Sequence, residues 1–154
     1  MVEKMKKALL WCLVCLVCLV PCSGAALAAE ADAAQDAADG YVYDAAGLLT
    51  ADEISDLNDE IASFMEESGW NVYAVTTDDA QGKSATAYAD DFFDEHSPEQ
   101  EDGVALLIDM DNREITISTC GIAIRYLTDS RIDNILDAAY AKISNGDYNG
   151  CMHS

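Results

Sequence analysis

Asp109 and Asp111 flank a single methionine directly after the apolar run Val104-Ala105-Leu106-Leu107-Ile108. An aspartate pair at a strand end can carry phosphoryl transfer, with one carboxylate attacking, the other moving a proton, and magnesium neutralising the phosphate. That chemistry is excluded here, because it needs threonine or valine two positions beyond the second aspartate and Arg113 stands there. A calcium loop starting at Asp109 is excluded as well: Glu114 occupies the place of its glycine and Cys120 that of its bidentate glutamate. Taken alone, the pair reads as a hairpin turn. Other nucleophilic or metal chemistry finds no footing. His96 lies in an acidic loop and His153 near the end, neither with a Ser or Cys at a recognised spacing, and beyond the cysteines of the N-terminal apolar segment no His or Cys pair has zinc-ligand spacing. Gly82-Lys83-Ser84 lacks the upstream glycine of a phosphate loop and reads as a turn followed by an N-cap. What remains is hard-cation chemistry supplied by carboxylate oxygens.

The elements that must position those carboxylates can be read from caps and periodicity. Thr50 followed by Glu53 forms a capping box, after which Ile54, Leu57, Ile61, Phe64 and Met65 share a helix face until Gly69 stops it. A strand is predicted over residues 70–77. A second helix follows over 84–95, with Ala85, Tyr88, Ala89 and Phe92 toward the core. A loop punctuated by Pro98 then leads to the fully covered strand 104–108. Residues 113–119 alternate apolar and polar, so a tight hairpin leads into a more exposed antiparallel strand ended by Gly121. The last helix spans about 130–143, its stripe made of Ile132, Ile135, Leu136, Ala139, Tyr140 and Ile143. The sum is an α/β three-layer sandwich: a small mixed sheet of two parallel strands plus an antiparallel hairpin strand, flanked by helices.

This topology sends Asp44, Asp78, Asp79, Asp109 and Asp111 to one place. The segment Tyr41-Val42-Tyr43-Asp44 leads into the first helix beside the carboxyl end of the first strand, where Asp78 and Asp79 stand. The hairpin with Asp109 and Asp111 leaves the carboxyl end of its parallel neighbour, the edge at which open α/β sheets bind ligands. Asp44, Asp78 and Asp109 are the first candidates for a divalent cation, Asp79 and Asp111 the second, with calcium expected before magnesium. Asp102, Asp129 and Arg131 fall at the opposite edge and are expected to be structural, Asp129 against the helix N-terminus and Asp102 paired with Arg131.

The N-terminus decides which residues belong to the domain. Lys4, Lys6 and Lys7, the apolar run 8–20, Pro21 and small residues through Ala29 follow the layout of a signal peptide. The run falls short of the roughly 20 residues that span a bilayer. Cleavage is expected after Ala28 or Ala29, leaving an Ala/Asp-rich tether over 30–40, one domain over 41–150 and a tail over 151–154. Cys12, Cys15, Cys18 and Cys22 leave with the signal, so only Cys120 and Cys151 remain to pair or stay free. The whole chain carries a formal net charge of −21, and losing three lysines makes the remainder more acidic still. Such a surface repels phosphate backbones and anionic lipid, which removes nucleic acid from the partner classes and leaves cations and basic segments.

Asp44-Ala45-Ala46-Gly47-Leu48-Leu49-Thr50 resembles the opening motif of the TPM domain family. Thr76-Thr77, Tyr88-Ala89, Asp102-Gly103-Val104, Arg113-Glu114, Gly121 and Leu127-Thr128-Asp129 follow in that family's order, covering roughly residues 41–150. The resemblance implies an extracytoplasmic α/β sandwich, described in one plant member as an acid phosphatase, with a divalent cation held by acidic residues. It also implies that membrane association would come only through an anchor beyond Ser154. Three functions stay open at this point. The chain is expected to be an exported binding module for a cation; the alternatives are a metal-dependent acid phosphatase acting on a phosphorylated substrate, and a structural domain that recruits a basic envelope protein.

Overall fold

The computed structural model describes residues 40–97 and 101–154. The expected signal peptide over 1–29, the tether up to residue 39 and the loop position Pro98 lie outside the described residues. In chain order the elements are β1 (Val42–Asp44), α1 (Ala51–Ser68), β2 (Asn71–Thr77), α2 (Ala85–His96), β3 (Gly103–Asp109), β4 (Glu114–Cys120), α3 (Ala123–Tyr126), α4 (Asp129–Ile143) and α5 (Tyr148–Met152). The sheet order is β1-β2-β3-β4, with β1, β2 and β3 parallel and β4 antiparallel to β3. The α/β sandwich expected from the sequence is therefore present, with one strand more than expected. The segment that leads into α1 is itself an edge strand, paired through Val42, Tyr43 and Asp44 with Ala74, Val75 and Thr76.

Local chemistry explains where the helices begin and stop. The Thr50 hydroxyl accepts from Glu53 N–H while Glu53 accepts from Thr50 N–H, closing the capping box. That backbone bond to Thr50 holds the Glu53 carboxyl below its ordinary range. Gly69, at φ 72°, ends α1 in the left-handed conformation and donates to the Met65 carbonyl. Ser84 caps α2 by accepting from Ala87 N–H.

Alternation along the strands divides the core into two layers. On one face Val42, Ala74, Ile108 and Ile115 pack against Leu57 and Ile61 of α1, Ala139 of α4, and Cys151 and Met152 of α5. On the other, Tyr73, Val75, Ala105 and Leu107 pack against Ala85, Ala89 and Phe93 of α2. Full burial of side chains the size of Phe93, Leu107 or Ile108 stabilises by roughly 1.5–3 kcal/mol each.

Several expectations need correction. The residue of α2 that enters the core is Phe93, in register with Ala85 and Ala89 at four-residue spacing, while Phe92 leans onto the flank. Phe64 does not face the core but is 47% exposed and meets Trp70 edge-on. Tyr140 is also exposed, and its hydroxyl accepts from Ile115 N–H at the outer side of β4. Residues 151–154 are not a mere tail, because Cys151 and Met152 belong to α5 and are buried.

At the edge opposite the candidate site, Asp102 and Arg131 do not pair with each other. Asp102 accepts from Ile122 N–H at 2.6 Å, and Arg131 donates to the Tyr126 carbonyl at 2.6 Å. The reason is α3, an unforeseen turn of helix that offers each of them a nearer backbone partner. Asp129 does stand in the first turn of α4, where the expected interaction with exposed amide groups is available.

Cys120 and Cys151 are both free. One packs with the α2 layer and the other is buried in the α1/α4 layer, so the sheet itself separates them. Burial pushes the Cys151 thiol up to about 11, which keeps it protonated and unreactive near neutrality. Among the described residues no helix is long and apolar enough to cross a membrane.

Candidate acidic site at the carboxyl edge of the sheet

Because β1, β2 and β3 run parallel, their carboxyl ends meet at one edge, with Asp44 beside Thr76 and Thr77 beside Asp109. The order of neighbours is as the topology demands, but alternation places them differently. Asp44 and Thr76 share the row of Ile108, on the α1/α4 side, whereas Thr77 and Asp109 share the row of Glu114, on the α2 side. The structure therefore brings Asp44 and Asp109 to the same edge and turns them to opposite faces.

Each of these two carboxylates is engaged in shaping a loop. Asp44 Oδ1 accepts from Leu48 N–H at 3.0 Å and from the Thr76 hydroxyl, and its Oδ2 accepts from Leu49 N–H at 2.9 Å. Thr76 is 1% exposed, and its hydroxyl oxygen also accepts from Ala46 N–H, so the loop between β1 and α1 folds around one Asp–Thr pair. Gly47 allows that loop to turn at φ 63°. Asp109, 1% exposed, accepts from Asn112 N–H at 2.9 Å and from the Asn112 side-chain amide at 2.7 Å. These bonds close the hairpin, which leaves through Arg113 at φ 56°.

The remaining three aspartates are exposed and stand in two loops that interlock. After β2, the Thr77 hydroxyl bonds to the backbone of Asp79, and Asp79 Oδ1 accepts from Gln81 N–H at 2.8 Å. Gln81 and Gly82, at φ 55° and 73°, make a tight turn closed by Lys83 N–H onto the Ala80 carbonyl. From the hairpin, Asp111 Oδ2 accepts from Ala80 N–H at 3.2 Å and the Asn112 amide donates to the Lys83 carbonyl at 3.0 Å. Asp111 is thereby held against the loop that carries Asp78 and Asp79.

The donor set at this edge is all oxygen, which suits a hard cation rather than zinc or copper. Among the described residues, however, no three His, Cys, Asp or Glu side chains stand close enough together to ligate one ion. Sequence reasoning named the five aspartates but missed Thr76, Thr77 and Asn112, the groups that orient them. Their only visible signal was polarity at the end of otherwise apolar strands, at Thr76-Thr77, and an Asn three residues after Asp109.

A sequence model described as the TPM domain matches residues 42–154. In sequence the chain is 32% identical over 108 residues to the UPF0603 protein YdjH of Bacillus subtilis (strain 168), an alignment that covers 70% of this chain and 42% of that protein. The chain thus spans less than half the length of the curated relative it matches. In structure it is similar to the N-terminal domain of a protein from P. gingivalis, with a TM-score of 0.67 at 20% identity, covering 75% of this chain and 78% of the other. It is similar also to the N-terminal domain of a Corynebacterium glutamicum protein, with a TM-score of 0.59 at 14% identity, covering 77% and 76%. At these identities the likeness concerns the fold alone.

Proposed function

The chain belongs to the TPM domain family, and on that premise we propose that it works as an exported binding module that holds a divalent cation, calcium before magnesium, at the carboxyl edge of its sheet. The observation that carries this reading is the bond from Ala80 N–H to Asp111 Oδ2, which holds Asp111 against the Asp78–Asp79 loop. Asp78, Asp79 and Asp111 are exposed and supply the ligands, while Asp44 and Asp109 hold the loops in shape. Neighbouring carboxylates repel one another, and an ion between them would reverse the sign of that interaction. Calcium fits better than magnesium because it accepts six to eight oxygens in variable geometry, whereas magnesium demands a near-ideal octahedron. An ion here would neutralise charge and tie the hairpin to the loop after β2.

Titration of the purified chain with calcium, followed by calorimetry, is expected to show a site that the double variant Asp78→Asn, Asp111→Asn weakens by about tenfold or more, the loss of two charged ligands. The pair Asp90→Asn, Asp94→Asn on α2 is expected to leave the affinity within about twofold, as surface charges outside the site do. Equal losses in both pairs would place the ion elsewhere. With an aryl phosphate at acid pH, no turnover is expected with calcium or with chelator; turnover that chelator abolishes would replace the binding module by a metal-dependent phosphatase.

Export rests on the positive, apolar and small-residue order of the first 29 positions. N-terminal sequencing of the exported form is expected to read from residue 29 or 30. An envelope or secreted form that retains Met1 would remove this part of the reading.

A further inference from the structure

The outer flank of α2 carries a feature that the cation site does not use. Tyr88, Phe92 and His96 recur at four-residue spacing and form a half-buried aromatic stripe along the helix. His96 lies flat on Phe92, ring centroids 3.9 Å apart at 15°, and Tyr43 of β1 meets both edge-on at 4.7 and 4.9 Å. Beside the stripe is an open trough of about 100 Å³ lined by Gln81, Lys83, Tyr88, Asp91, Phe92 and Glu95. Its lining thus combines two aromatic rings with two carboxylates.

One cation already stands in that trough. Lys83 Nζ lies 2.8 Å from Asp91 Oδ2, with both side chains substantially exposed. The hydrogen bond to Asp91 raises the Lys83 ammonium above its ordinary range, and the negative charge of Glu95 acts in the same direction. The trough thus accepts an ammonium group in practice, at hydrogen-bond distance, in the free domain. Glu95 is exposed and has no ion pair among the described residues, where the salt bridges are Lys83–Asp91, Lys142–Asp147 and His153–Glu60. Glu95 therefore stands near the Lys83–Asp91 pair without a salt bridge of its own among the described residues.

We propose that this trough docks a lysine or arginine side chain from a peptide segment of a partner protein, its cation between Asp91 and Glu95 and its aliphatic stem on Tyr88 and Phe92. Aromatic rings attract cations, and rings beside carboxylates can contact the stem as well as the charge. A net charge of −21 steers basic segments toward the domain, while the stripe gives them one place to stop. Lys83 is then a resident competitor that the incoming residue displaces from Asp91. The partner is a basic protein segment rather than nucleic acid or anionic lipid, both of which the surface charge repels.

The test is a titration of the purified chain, in chelator so that the cation site plays no part, with the peptide Gly-Arg-Lys-Gly-Arg and with a copy carrying glutamine at its basic positions. Amide shifts are expected to concentrate on Lys83 and residues 88–96 of α2. The pair Asp91→Asn, Glu95→Gln is expected to weaken binding about tenfold, as loss of two facing charges does. Lys83→Gln is expected to strengthen binding several-fold by removing the competitor. Glu66→Gln, Glu67→Gln on the exposed end of α1 deletes the same charge at a distance and is expected to change affinity less than about twofold. The proposal is overturned if the α1 pair weakens binding as much as the α2 pair, if the glutamine peptide binds equally well, or if Lys83→Gln weakens binding. Each of those results would reduce the interaction to diffuse charge or move it off the trough.

Discussion

Gly103→Ala is expected to cost the domain about 3 kcal/mol, at the upper end of what overpacking does, and to lower its thermal midpoint by roughly 10 °C. Gly103 opens β3 in the middle of the sheet, facing Asn71 on β2 and Cys120 on β4. A Cβ placed there would overlap the backbone carbonyl oxygen of Asn71 and press on the Phe93 ring at 2.8 and 2.9 Å. The ring has little room to retreat, since Phe93 is 2% exposed and packs among Tyr73, Val75 and Leu107. The carbonyl has less, because Asn71 is held on both sides: its N–H donates to the Asp102 carbonyl at 2.9 Å and its side chain to Ser97 and Glu101. A flexible side chain could relax; a paired strand cannot without shifting the ladder. Urea and thermal denaturation of the two proteins measure the difference. A second variant, Gly103→Ala with Phe93→Leu, removes the ring but leaves the carbonyl clash, so it is expected to remain below Phe93→Leu alone. Gly103→Ala with wild-type stability would mean that β2 and β3 do not pack as described.

Much of this architecture was legible because its elements announce themselves locally. The Thr50–Glu53 box, Gly69, Ser84 and the unbroken apolar run before Asp109 each encode their own boundary, and the structure places helices and strands within a residue or so of them. The parts that escaped are those defined by partners distant in sequence. β1 has only three residues, too few to display alternation, and exists because Asn58 of α1 holds Tyr41 and Val42 through their N–H groups while β2 pairs with the strand. Helix α5 contains Asn149 and Gly150, poor helix formers, and is fixed instead by Asp147 capping Gly150 N–H and by the burial of Cys151 and Met152. At the site, topology alone predicted that five aspartates share an edge. It did not predict which face each would take, because a row's parity depends on the register of β1 against β2, which no single segment reveals.

Asp44→Ala is expected to cost about 3 kcal/mol even when chelator is present, since it strips acceptors from two backbone amides and one buried hydroxyl at once. Leu48 N–H and Leu49 N–H, both in a part-buried loop, would lose their carboxylate, and the Thr76 hydroxyl, 1% exposed, would keep only the bond it accepts from Ala46. Leu48 and Leu49 themselves pack against the α1/α4 core, so loosening this loop also loosens the entry to α1. Asp44→Asn retains one carbonyl oxygen and the size of the side chain, and is expected to lose roughly half as much, because bonds to a charged acceptor are about twice as strong as neutral ones. Denaturation midpoints in chelator, set beside calcium affinities of the same two variants, separate a brace from a ligand. If Asp44 is a brace, both variants lose stability without calcium, and Asp44→Asn keeps calcium affinity within about twofold, as a residue outside the coordination shell does. The opposite pattern, full stability in chelator with calcium affinity abolished, would make Asp44 a direct ligand. The proposed site would then have to move across the edge of the sheet, from the interlocked Asp78, Asp79 and Asp111 loops to the face that Asp44 shares with Thr76.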